Sequence, residues 1–241
     1  MPFSLAVGLG AWDLLTRLYA LPAFILPRPG QVWARFVAVL ADGTLAQNTL
    51  VTLTEALSGL VLGLAAASLM GYFIAKSRTL ERALTPYIVA SQAIPVVAIA
   101  PLLIIWLGFG LRSKVLICAL IVFFPILVNT VIGIKSIEPN LRDLMRSLRA
   151  SRWQTLIKLE LPAALPVMLG GLKIGATLAV IGAVVGEYVS RDRGLGFLLD
   201  FARGQYDTAL VFVAVATLIV IAMGLYGLVA LLERLLLRWK G

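Results

Sequence analysis

Four stretches of this chain, residues 56–75, 83–111, 115–134 and 208–232, contain no charged side chain at all. A helix needs about 20 mostly apolar residues to cross the hydrocarbon of a bilayer, and each stretch reaches that length. Only 14% of the residues are charged and 61% are hydrophobic, whereas a soluble domain carries roughly 25% charged residues. An ordinary soluble domain is therefore excluded. A fifth run, 161–186, holds only Lys173, and a sixth, Phe3 to Tyr19, holds Asp13 and Arg17. The expected fold is an all-α integral membrane domain of six transmembrane helices spanning residues 1–241.

Several kinds of chemistry are missing. Cys118 is the sole cysteine and there is no histidine, so disulfides and the usual thiolate or imidazole metal sites are not expected. The net charge of +9 belongs to the flanks of membrane spans and to anionic headgroups rather than to nucleic acid. Met1 to Gly10 carries no charge and so lacks the basic start of a signal peptide. The first apolar segment is expected to stay as a helix.

With both termini in the cytoplasm, 76–82, 135–158 and 234–240 fall inside and hold 12 of the 21 Lys and Arg residues. Arg28, Arg35, Arg112, Lys114, Arg191, Arg193 and Arg203 fall outside. The excess of basic charge on cytoplasmic loops favours this orientation. The outer segment 20–50, with Pro22, Pro27, Pro29, Gly30 and Gly43, reads as a bent connector containing a short amphipathic piece from Val32 to Leu40.

The third span, near 85–107, contains Pro95 and Pro101, and the fourth contains Pro125; each proline removes a backbone donor and invites a kink. Small residues recur in the second span at Ser58, Gly59, Gly63, Ala67 and Gly71, and in the fifth at Gly170, Gly171, Gly175, Ala179 and Ala183. A spacing of four lets helices approach closely, and plain packing explains these stripes more simply than a translocation lining. Among ionisable residues of the spans, Lys173 is placed to snorkel, Glu187 to pair with Arg191 at i, i+4, Asp13 to pair with Arg17, and Glu55 to lie close to water.

Between the fourth and fifth spans stands KSIEPNLRDLMRSLRASRWQTLIKLELPAALP, too long for a tight turn and too patterned for a loose one. Leu141, Leu144, Met145 and Leu148 recur at helical spacing, with Arg142, Arg146 and Arg149 on another face. Ser151 followed by Gln154 matches a helix capping box, so a second helix begins at Arg152. It carries Trp153, Leu156, Ile157 and Leu159, and ends before Pro162, because the residue preceding proline disfavours the helical region. The pattern is helix, elbow at Ala150-Ser151, helix. An interfacial helix on lipid and a docking surface for a partner protein both account for it.

The segment RDLMRSLRASRWQTLIKLELPAALP resembles the EAA loop of ABC-importer permeases, a pattern of Glu-Ala-Ala, a glycine and a closing hydrophobic-x-Leu-Pro. Asp143 stands at the Glu position, Leu144 and Met145 at the Ala positions, Arg149 at the Gly position, and Leu159, Leu161 and Pro162 at the close. The resemblance continues in SQAIPVVAIAPLLIIWLGFG (91–110), GLKIGATLAVIGAVVGEYV (171–189) and RGLGFLL (193–199), and covers a permease core of roughly 45–235. These look like the nitrate, sulfonate and taurine branch of type I importer permeases, including importers of riboflavin and of the thiamine pyrimidine precursor. Arg149 is the largest departure, since glycine there permits a sharp turn at positive φ.

The resemblance implies a bacterial inner-membrane permease subunit that pairs with a second, identical one. It also implies docking on cytoplasmic ATPase subunits through the coupling loop, 138–162, and receipt of solute from an extracytoplasmic binding protein. Asp143, Leu144, Leu148, Arg149, Ser151, Arg152, Trp153 and Pro162 are the docking residues so implied. The chain has no GxxxxGK[ST] phosphate loop, so it is expected to be no enzyme and to bind no cofactor, with ATP-Mg on the partner. Ser91, Gln92, Pro95, Trp106, Asn129 and Tyr188 are the expected path residues. The rivals are a coupling subunit of a vitamin importer lacking a soluble binding protein, and an ion-coupled carrier. The latter usually needs carboxylates deep in the bilayer, and none is expected in the central spans.

Overall fold

A computed structural model describes residues 2–19 and 22–238, so Lys240 of the expected cytoplasmic set lies outside the described residues. The described residues form helices and no strands: α1 Pro2–Leu18, α2 Pro29–Ala41, α3 Thr44–Lys76, α4 Arg78–Gln92, α5 Val96–Leu107, α6 Leu111–Lys135, α7 Pro139–Ser147, α8 Arg152–Thr155, α9 Leu161–Ser190, α10 Leu195–Gly204 and α11 Thr208–Leu236. A π turn, Leu156–Glu160, joins α8 to α9, so that Arg152–Ser190 is continuous.

The core is a stack of three helices, α3, α6 and α9, brought together by glycine. A Cβ on Gly59 would strike Cys118, one on Gly63 would strike Val122 and lie 2.9 Å from the Ala119 carbonyl, and one on Gly71 would lie 2.9 Å from Thr130. The partner number rises with the glycine number, so α3 and α6 run parallel. On the other face of α6, Gly171 meets Asn129, Gly175 meets Ile126, Gly182 meets Cys118 and Gly186 meets Lys114. Here the partner number falls, so α9 is antiparallel to both. Cys118, fully buried, lies against α3 on one side and α9 on the other. Gly170 is the contrast, with nothing within 4 Å of its missing side chain, and it has no part in the stripe.

Parallel α3 and α6 impose the course of the chain between them. Lys76, at the end of α3, and Lys135, at the end of α6, share one pole, which also carries 135–158; Glu55 of α3 and Lys114 of α6 meet near the opposite pole. Residues 77–110 must therefore return across the bundle. They do so as α4 and α5, bent by 95° at the break between them. The single third span expected from sequence is thus two helices. Pro95 supplies no backbone donor, and it caps the start of α5 rather than kinking a continuous helix. Among the described residues four helices are long and apolar enough to cross a membrane, or five if the bent pair is one span. The 17 residues of α1 fall short of a sixth by length.

Two further expectations change. The connector 20–50 is largely helical: Pro29 opens α2, the Arg28 amide donates to Gln31 Oε1 at 2.8 Å, and α3 already begins at Thr44. The second loop helix does not end before Pro162. In the π turn the Leu161 amide donates to the Leu156 carbonyl, one residue further back than in an α-helix. The wider turn absorbs the missing donor and the ring of Pro162.

Candidate functional site

At the basic pole, Pro139 sits at the first position of α7, where its fixed φ suits helix entry. Arg142 Nη2 donates to the Ile134 carbonyl at 2.6 Å and ties α7 to the end of α6. Met145, Leu156 and Leu159 are half-buried, but the other apolar side chains of the loop find no cover among the described residues. Leu148 is 67% and Trp153 is 68% exposed, and Leu141, Leu144 and Ile157 are exposed as well. Asp143, Ser151 and Arg152 are exposed beside them, Asp143 pairing with Arg146 at 3.2 Å, while Pro162 is half-buried at the base.

The elbow has the backbone expected of it. Arg149 takes φ 50, the Ala150 amide donates to the Met145 carbonyl at 3.0 Å, and the Ser151 hydroxyl accepts from the Gln154 amide at 3.2 Å. The Gln154 side chain returns a bond to the Ser151 amide at 2.8 Å, completing the capping box. Arginine thus occupies the left-handed region that glycine enters without cost, a strain on the order of 1 kcal/mol. Arg149→Gly is expected to raise the midpoint of thermal unfolding slightly; an unchanged or lower midpoint would show that the Arg149 side chain more than offsets this strain.

The opposite pole holds a buried ionic cluster that the sequence did not reveal. Lys114, 1% exposed, donates from Nζ to Glu55 Oε1 at 2.9 Å, Asp192 Oδ1 at 2.5 Å and the Arg193 carbonyl at 3.2 Å. Its three protons are thereby used. Glu187, 0% exposed, accepts from Thr52 Oγ1 and from the Gly196 amide, each at 2.5 Å. The neighbouring amides of Gly194 and Leu195 donate to Asn48 Oδ1 at 2.8 Å and Thr52 Oγ1 at 2.9 Å. Three successive amides of the RGLGFLL segment are therefore held by α3 and α9. A Cβ on Gly194 would overlap the Glu187 carboxylate, and one on Gly196 would lie 2.8 Å from it. Both glycines are explained by room for that carboxylate.

Burial pushes the Asp192 carboxyl up, but bonds from Lys114, the Arg193 amide and the Ser190 hydroxyl outweigh it and hold the group below the ordinary carboxylate value. A depressed folded pKa means that this contact is complete at neutral pH and is lost as pH falls below the usual Asp range.

Two expectations are corrected here. Glu55 is not near water but 2% exposed inside the bundle. Glu187 does not pair with Arg191: α9 ends with Arg191 in the left-handed region at φ 50, and its side chain instead meets Asp200 at 3.6 Å. A signal was present, because Asn48, Thr52 and Glu55 continue toward the N-terminus the same helical face as Gly59 and Gly63. These carboxylates lie at the pole of the bundle rather than midway along the spans, Glu187 within one turn of the end of α9.

Two further ion pairs involve residues of the apolar helices. Asp13 and Arg17 meet at 2.8 Å as expected, and Lys173 pairs with Glu233 of α11 rather than only snorkelling. The expected path residues lie in several places. Ser91 is half-buried and bonds its own helix at Ile88; Gln92, Pro95 and Trp106 are exposed. Asn129 donates to the Pro125 carbonyl at 2.8 Å and lies against Gly171, whereas Tyr188 stands near the other end of α9, about 25 Å along the helix.

Residues 59–238 match the family of binding-protein-dependent transport system inner membrane components. The chain belongs to this family. It is similar to the riboflavin transport system permease protein of Chloroflexus aurantiacus, with 52% identity over 240 residues covering 100% of this chain and 90% of that protein. It is also similar to the formylaminopyrimidine transport permease protein of Halalkalibacterium halodurans, with 35% identity covering 95% of this chain and 91% of that one. In fold it resembles a solved structure of an inward-facing MetNI methionine ABC transporter, at TM-score 0.71 and 17% identity over 81% of this chain and 97% of the other. The protein is therefore an ABC importer permease subunit, itself no enzyme, of a family that works with a separate ATPase subunit and a substrate-binding protein. Family membership removes the ion-coupled carrier.

Proposed function

We propose that this permease imports riboflavin or a closely related heterocycle handed over by an extracytoplasmic binding protein. The identity of 52% along the whole chain to a riboflavin permease, against 35% to a formylaminopyrimidine permease, carries the solute assignment. The loop 138–162 docks the ATPase, with Asp143, Leu144, Leu148, Arg149, Ser151, Arg152 and Trp153 as the contact and Pro162 behind it. Its uncovered apolar side chains at the basic pole support that role. The permease sits in the bacterial inner membrane with that pole and both termini in the cytoplasm; α1 is the sixth span, and a second identical subunit completes the path. ATP and magnesium bind on the ATPase.

The experiment is ATP-driven uptake of labelled riboflavin into proteoliposomes holding the permease, its ATPase and its binding protein. Accumulation that requires all three is the expected result. Uptake of formylaminopyrimidine in place of riboflavin would move the solute to the other branch, and uptake of riboflavin without the ATPase would overturn the coupling.

A further inference from the structure

We propose that Glu160 is the positioning residue that couples the docking loop to the bundle, by fixing the π turn to α3; this rests on the docking role of the loop. Glu160 lies in that π turn and its side chain is 1% exposed. Its two carboxylate oxygens are taken by two residues one helical turn apart on α3: Lys76 Nζ pairs with Oε1, and the Tyr72 hydroxyl donates to Oε2 at 3.2 Å. The Lys76 ammonium also stands 5.6 Å from the Tyr72 ring centroid, so the donors support one another.

This joint is placed where force has to pass. The loop touches the bundle at its other end through Arg142 and the Ile134 carbonyl, which belong to α7 and α6. At the joint itself, the turn that widens to admit Pro162 would be the most deformable part of an otherwise continuous helix from Arg152 to Ser190. Lys76 is 42% exposed, but Glu160 at 1% exposed would lose both its cation and its hydroxyl donor with no water to replace them, so displacement of the loop carries α3 with it. The same two helices, α3 and α9, are joined again at the far pole through Thr52 and Glu187. Motion received at Glu160 is thereby delivered to the outer cluster, some 27 residues or about 40 Å along α9. Glu160 is buried and Tyr72 half-buried, while Lys76, 42% exposed, opens on a cleft that the three share with Arg152 of the docking loop.

The test uses the permease–ATPase complex in proteoliposomes with Leu111→Cys as a reporter, since Leu111 is exposed beside Lys114 at the far pole. Its labelling by a membrane-impermeant maleimide is compared with and without ATP-Mg and vanadate. The native complex is expected to show a several-fold change, and Glu160→Gln to show none while still holding the ATPase. Tyr72→Phe with Lys76→Met, which leaves Glu160 in place, is expected to behave alike and carries the test if Glu160→Gln does not fold. The exchanged pair Lys76→Glu with Glu160→Lys should restore the response, which a merely destabilised protein would not do. An undiminished response in Glu160→Gln overturns the proposal, as does a native complex whose labelling ignores ATP. Failure of the docking role shows separately, as an ATPase that stays bound when Leu144 and Leu148 are both changed to Asp.

Discussion

Leu144→Asp combined with Leu148→Asp is expected to abolish ATPase co-purification and transport together while leaving the permease folded. Both side chains already face solvent in the free subunit, so the substitutions cost the monomer little. Docking would bury them, and each buried leucine contributes about 2 kcal/mol. Losing both removes on the order of 4 kcal/mol, near a thousandfold in affinity, before the desolvation of two carboxylates is added. The measurement is the amount of ATPase retained by the tagged permease through a salt series. Retention at the native level would return the loop to the lipid surface, the other use its amphipathic pattern allows.

Lys114→Met is expected to be the most damaging single change within the bundle. It strips the cation from between Glu55, 2% exposed, and Asp192, and leaves one carboxylate buried without its partner. Breaking a buried pair from one side costs about 3–5 kcal/mol, whereas replacing both members with apolar side chains is often nearly neutral. The double change of Glu55→Leu with Lys114→Met should therefore regain much of what Lys114→Met loses. Lys173→Met, at a pair 21% and 27% exposed, should cost far less. Thermal unfolding in detergent ranks the three proteins. Lys114→Met no less stable than Lys173→Met would show that the cluster does not hold the pole together.

The loop at 135–165 was legible because every signal in it is local. Ser151 and Gln154 cap each other within three residues, and the leucines of α7 need only the helical period to share a face. Even Arg149 obeys the local rule that the elbow must enter the left-handed region, though its residue type argues against it. The one loop feature misread was Pro162, where a single widened turn let the helix run on.

The outer cluster was not legible, and distance along the chain is the reason. Thr52 meets Glu187 across 135 residues and Lys114 meets Asp192 across 78. Sequence spacing shows which face of α3 carries Asn48, Thr52 and Glu55, but not which helix covers it. The tempting local partner, Arg191 at i, i+4 from Glu187, is lost because α9 ends in a left-handed residue that turns the side chain toward Asp200.

By itself, then, the amino-acid order determined that the chain is built of apolar helices able to cross a membrane, where the basic pole lies, and that the long loop folds as two helices about an elbow. These follow from period, length and charge, each a property of a short window. The tertiary structure decided that α3 and α6 run parallel, that 83–111 crosses as a bent pair, and that Glu55, Lys114, Glu160 and Glu187 pin the poles. Those depend on which helices meet, and a buried charge is tolerated only where a distant partner arrives to pair with it.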